Sequence, residues 1–223
     1  MIDLLRAIWQ ADSGFPSGAF AFSGGLEAFY VLSPAADAAV LASVLHDMLA
    51  LRWASAERVA LTMAHRAGDD IGAVAAADMA LEAATLMQSL RDGSCRNGQA
   101  LLTAHARLGT AAAVRLRAAC RDGLCLGHLA VMQGAVFCAL GIELGAAIAA
   151  AGYAAAAAMV MAAVRLGRVG AIDGQRALAG VLPLLADLAI DVPAANAVPE
   201  GFLPLLDIAA ARHPRAAMRL FAT

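Results

Sequence analysis

The chain is 223 residues long, 61% hydrophobic and only 15% charged, with a formal net charge of −2. All of its basic residues are arginine, and the absence of lysine excludes a Walker-type nucleotide site and a pyridoxal enzyme, both of which need a lysine on the ligand. Residues 1–98 carry 11 acids against 6 arginines (−5), and residues 99–223 carry 7 acids against 10 arginines (+3). This polarity is too weak for a nucleic-acid binder, yet it can orient a protein partner or a second copy. The opening "MIDLLRAIWQ" has no basic head before an apolar run, and the four cysteines fit reduced thiols. A cytoplasmic location is therefore expected. No linker is visible, so a single domain over residues 1–223 is expected, of a size that buries roughly 70% of its unfolded surface.

Helix formers dominate from end to end, and strand-type alternation of β-branched residues is missing. Residues 1–25 read as a first helix followed by the glycine-rich loop "SGAFAFSGG". Ser33-Pro34 ahead of Asp37 reads as a helix start with proline in the first turn. The following stretch sets Leu41, Val44, Leu45, Met48 and Leu49 on one apolar stripe. Further helices are predicted over about 57–66, 71–91, 98–108 and 111–121. The breaks between them fall at Gly68-Asp69-Asp70, Asp92-Gly93, Gly109 and Asp122-Gly123. Asp173 can cap a helix running to about Ile190, and Phe202 to Arg212 forms the last one.

Residues 126–164 contain a single formal charge, Glu143. The stretch 144–164 is long enough to span a bilayer, but 12 of its 21 residues are alanine, which gains little in lipid and suits close helix packing. His128, Gln133 and Glu143 would be costly in a membrane hairpin. The expected fold is an all-α, single-domain bundle around buried Ala/Gly-rich helices, with a small helical membrane protein built on 126–164 as the alternative.

Catalytic patterns are incomplete. Ser23 lies in "AFSGG", one residue short of a nucleophile elbow and without a preceding strand. Cys125 and His128 make half a zinc site at best, and read as a core thiol and a helix-start imidazole. Asp69-Asp70 lacks the third acid of a diphosphate-binding D-D-x-x-D. An all-α enzyme with a site outside these patterns stays open as a second alternative. A helical chain without a catalytic set but with shaped loops reads as an interaction protein.

Four segments, in order, resemble one family. "ADSGFPSGAFAFSGGLE" resembles the N-terminal signature of the urease accessory protein UreF family, "VMQGAVFCALGIELGAA" its glycine-spaced central helix, "AVRLGRVGAIDGQRAL" its A-V-R-L-x-x-x-G-x-x-D-G-Q block, and "LLDIAAARHPRAAMRLF" its C-terminal block. The resemblance implies an all-helical homodimer without catalysis of its own. It implies partners UreD (also called UreH), the GTPase UreG and apo-urease, with nickel and GTP handled by those partners and no tightly bound cofactor. Phe22 stands where many members carry histidine, so no metal role is transferred to it.

Partner-binding candidates follow from the shared blocks. In the loop they are Phe20, Phe22 and Ser23, and just after it Glu27, which either caps a helix or meets a partner, and Tyr30, either core or interface. Arg165 either satisfies the last carbonyls of a long helix or reaches a partner. Asp173 and Gln175 either form a helix start or an interface. Arg212, His213, Arg215 and Arg219 make a basic tail, residues 212–223, that faces UreD or UreG on this reading.

Overall fold

The computed structural model describes residues 1–17 and 25–212, and every regular element among them is helical. α1 spans Ile2–Ala11, α2 Leu26–Leu32 and α3 Ala38–Asp47. α3 continues through a π-helical stretch, Met48–Glu57, into α4, Arg58–Ala67. α5 covers Ile71–Ala84, α6 Gln88–Arg107 and α7 Ala111–Arg121. α8 is Leu129–Ala139, α9 Leu144–Arg165, α10 Ala171–Ile190 and α11 Pro204–Arg212.

Three local expectations are corrected. Ser33-Pro34 does not open α3: Ser33 closes α2, and Asp37 is the cap, its Oδ1 accepting from the amides of Ala39 and Val40 at 3.0 and 3.1 Å. The segments read as separate helices on either side of Trp53 are continuous, because the backbone widens to i→i+5 bonding, as from Arg58 N–H to Trp53 O. The wider turn brings Arg52 and Glu57 together at 3.1 Å. The predicted break at Asp92-Gly93 is absent. Gly93 is buried inside α6, and Asp92 accepts from Gln88 Nε2 one turn back at 2.7 Å. The chain breaks instead at Thr85–Met87, where the Arg91 guanidinium donates to Thr85 O at 2.7 Å and Leu86 O at 3.2 Å.

The core gathers on the two apolar helices that the sequence singles out. α8 packs mainly on α4 and α6, and α9 on α10 and α1, so each is sheathed by other helices more than by its twin. α9 is long and apolar enough to cross a membrane by length and composition, but 56% of that window is buried within the fold. Glycine sets how closely these helices approach. A Cβ on Gly134 of α8 would lie 2.2 Å from Leu61 O of α4, and one on Gly152 of α9 would lie 2.9 Å from the Trp53 ring. α8 stops at Gly141, whose φ of 73° lets Ile142 N–H turn back to Phe137 O at 3.0 Å.

Candidate docking surfaces

The first residues of the N-terminal signature, 11–17, form a short arm folded onto α6. After α1, Asp12 Oδ1 accepts from Gly14 N–H at 2.7 Å, and Phe15 N–H donates to Asp12 O at 3.0 Å. The turn drives the Phe15 ring inward, where it meets Trp9 at 5.5 Å and His105 at 5.0 Å between centroids. His105 is completely buried. Its Nε2–H donates to Gln10 Oε1 at 3.0 Å, and its Nδ1 accepts from the Thr110 hydroxyl at 3.2 Å. One imidazole therefore pins α1 and the signature arm to the end of α6.

Burial pushes the His105 pKa down from 6.5 to about 4. The unfolded chain binds the proton first, so the clamp contributes fully above about pH 6.5 and is lost as pH falls toward about 4. We expect wild-type stability in urea to fall about 2 kcal/mol further between pH 7 and pH 5 than that of His105→Gln. Parallel pH curves for the two proteins would remove the imidazole as the cause.

Beside this clamp, a cleft of about 650 Å³ opens between the arm and α6, lined by Trp9, Phe15, Pro16, Thr103, Arg107 and Leu108. α1 itself turns Ala7 and Gln10 inward and leaves Ile2, Leu4, Leu5, Ile8 and Trp9 between 42% and 58% exposed. Small and polar residues thus make the close contact, while the large apolar ones face out.

The sequence-derived candidates divide by burial. Glu27 and Tyr30 lie in α2 and are buried, Tyr30 at 1% exposure. The Tyr30 ring packs edge-on to Phe29 at 5.6 Å, and the Arg168 guanidinium sits over it at 5.3 Å. Among the described residues the buried Tyr30 hydroxyl has no hydrogen-bond partner, and burial raises its pKa against the opposing pull of Arg168. Arg165 is exposed in the last turn of α9, and Gln175 is exposed on α10. Asp173 lies in the first turn of α10, where Arg176 Nη1 donates to it at 2.6 Å. It borders a second groove, of about 500 Å³, between α3 and α10, together with Ser43, His46, Asp47 and Gly180. Arg212 ends α11. Phe20, Phe22 and Ser23, the Arg212 side chain, and His213, Arg215 and Arg219 lie outside the described residues.

The sequence reading missed one polar centre. Asp78 of α5 is completely buried, and its carboxylate accepts from the amides of Leu126, Gly127 and His128 at 2.6, 2.7 and 3.0 Å. One turn along, Glu82 Oε2 accepts from His128 Nε2–H at 2.9 Å, and its other oxygen pairs with Arg91 at 3.1 Å. Cys95 and Cys120 sit in the field of this centre. Burial first, then neighbouring negative groups including Asp78, push both thiols up to about 12. The only sequence signal was the pair of acids four apart on an otherwise apolar helix. Among the described residues, no group of three or more His, Cys, Asp or Glu is placed to hold a metal ion.

A family model described as UreF matches residues 35–182, from just before α3 into α10. The chain belongs to the UreF family. The urease accessory protein UreF of Methylorubrum populi is 34% identical over 99% of this chain and 99% of its own length. That of Cereibacter sphaeroides is 31% identical over 99% and 98%. The urease accessory protein UreF 1 of Brucella melitensis is 30% identical over 98% and 92%. The similarity to these UreF proteins extends beyond the matched 148 residues and takes in the N-terminal arm and the tail.

Proposed function

We propose that this chain is an adaptor in urease maturation. As a cytoplasmic homodimer it binds UreD (UreH), recruits the GTPase UreG, acts on GTP hydrolysis there and supports nickel insertion into apo-urease. The observation that carries this reading is similarity over essentially the whole chain to proteins named urease accessory protein UreF. The chemistry of the chain supports it. Without lysine it has no Walker lysine for GTP, so the nucleotide belongs to a partner. The thiols of Cys95 and Cys120, pushed up to about 12, stay protonated at neutral pH, whereas soft-metal ligation needs thiolate. On this reading nickel is cargo of the assembly.

Arg165 and Gln175, the exposed residues of the shared blocks, are contact candidates, and so are the residues of the basic tail, which lie outside the described residues. Glu27 and Tyr30 act from beneath the surface by fixing its shape. The test is reconstitution with UreD, UreG and apo-urease. Removing residues 212–223 should leave the melting temperature within a few degrees while lowering capture of UreD or UreG at least tenfold, and Arg219→Ala should lower urease activation. Undiminished capture of both partners by the truncated chain would remove the tail from the interface. Failure of the full chain to bring UreG to UreD would overturn the adaptor reading.

A further inference from the structure

The cleft beside the His105 clamp lies on a stretch of one-sided charge. From Gly93 to Arg121 the sequence contains five arginines and no Asp or Glu. Arg115 is paired with Asp69 and Arg121 with Asp122, whereas Arg96, Arg107 and Arg117 are exposed. Arg96, Ala100, Thr103 and Arg107 follow one another at helical spacing on the outer face of α6. The last three also line the cleft. The two guanidinium-bearing positions are about 16 Å apart along the axis, at 1.5 Å per residue. Between them lies an apolar depression walled by Trp9, Phe15 and Pro16 and closed by Leu108. Asp12 is the acid that borders it, and its Oδ1 is already engaged by Gly14 N–H.

From this we infer that the cleft receives an acidic segment of a partner protein, with an apolar side chain seated against Trp9 and Leu108 and carboxylates on Arg107 and Arg96. Charge complementarity selects that occupant over a basic or uncharged one. The spacing fits two carboxylates about eleven residues apart on a helix, or about five apart in an extended strand. His105 is a positioning residue for this site: it fixes Trp9 and Phe15 on one wall without reaching the cleft. The exposed apolar face of α1 continues that wall through Trp9. The inference rests on the adaptor reading, and it assigns to one site the partner chemistry that the reading leaves general.

The test uses the full chain with UreD, UreG and apo-urease presented separately, in low and in raised salt. Arg96→Glu/Arg107→Glu and Leu108→Asp change exposed side chains, so both variants should melt with the wild type. Each should weaken capture of the same single partner at least tenfold, and the double reversal should flatten its salt dependence. Trp9 emission should shift to the blue on binding, over a constant background from the buried Trp53, and Trp9→Phe should abolish the shift. Capture of all three partners within twofold of wild type, with Trp9 emission unmoved, would overturn the inference and leave the adaptor reading standing. So would variants that lose only self-association, since a second copy would then fill the cleft. A wild-type chain that captures none of the three overturns both together.

Discussion

Gly134→Ala should destabilise the fold by about 3 kcal/mol and lower its melting temperature by about 9 °C. On propensity alone the change should help, since alanine in a helix interior is favoured over glycine by about 1 kcal/mol. The packing decides otherwise. The new methyl would lie 2.2 Å from Leu61 O and 3.1 Å from the Ala64 Cβ, so it meets backbone that cannot rotate away. α4 and α8, which share the most extensive contact in the fold, would have to part, loosening Leu61, Val131 and Phe137 along with them. The control is Gly180→Ala on α10, where an added Cβ meets nothing within 4 Å. That variant should gain about 0.5–1 kcal/mol. Thermal denaturation of the pair separates packing from propensity: equal shifts, or a neutral Gly134→Ala, would mean that the α4–α8 approach is slack.

The same opposition between local rule and tertiary contact explains what could be read from the sequence. Alanine dominance and the stripe of Leu41, Val44, Leu45 and Leu49 gave helix type and inward face correctly, because the periodicity is a property of the helix itself. Asp70 as a cap was readable for the same reason: it reaches only to Ala73 N–H. Gly93 was misread because glycine marks a turn only when nothing else holds the helix, and here its small size lets it be buried. α1 shows a further limit. Periodicity tells which side chains share a face, but Gln10 and His105, 95 residues apart, decide which face turns inward.

The candidate site was legible to a similar depth. The shared blocks fall on the arm that borders the α6 cleft, on the end of α9 and on the start of α10. Their individual exposure was not readable. Tyr30 beside a glycine loop reads as either core or interface, and the fold buries it, with Arg168 just past the end of α9 closing over its ring. Arg107 and Leu108 drew no attention, since an arginine and a leucine at a helix end are ordinary. Only the fold sets them opposite Trp9 and Phe15, which lie ahead of α2 in the chain and outside the stretch that the family model matches.

Asp78 makes the second large expected effect. Asp78→Ala should cost about 4 kcal/mol, more than a cavity of that size alone, because three amides lose their acceptor together. Leu126, Gly127 and His128 cross the start of α8 with no helical carbonyl available to their N–H groups, and the carboxylate is what replaces it. Gly127 and His128 are buried while Leu126 is partly exposed, so at the two buried amides water cannot substitute without opening the contact where Gly98 of α6 lies against the Gly127 carbonyl. Asp78→Asn should fall between the two, since its remaining oxygen can still accept while its NH₂ faces a donor. Two readouts make the cause specific. Amide exchange should accelerate first at Leu126–His128, and Cys95 and Cys120 should become easier to titrate and alkylate as a neighbouring negative charge is removed. Loss of stability with those three amides still protected would place the damage elsewhere in α5. A neutral Asp78→Ala would mean that the loop carries its own acceptors.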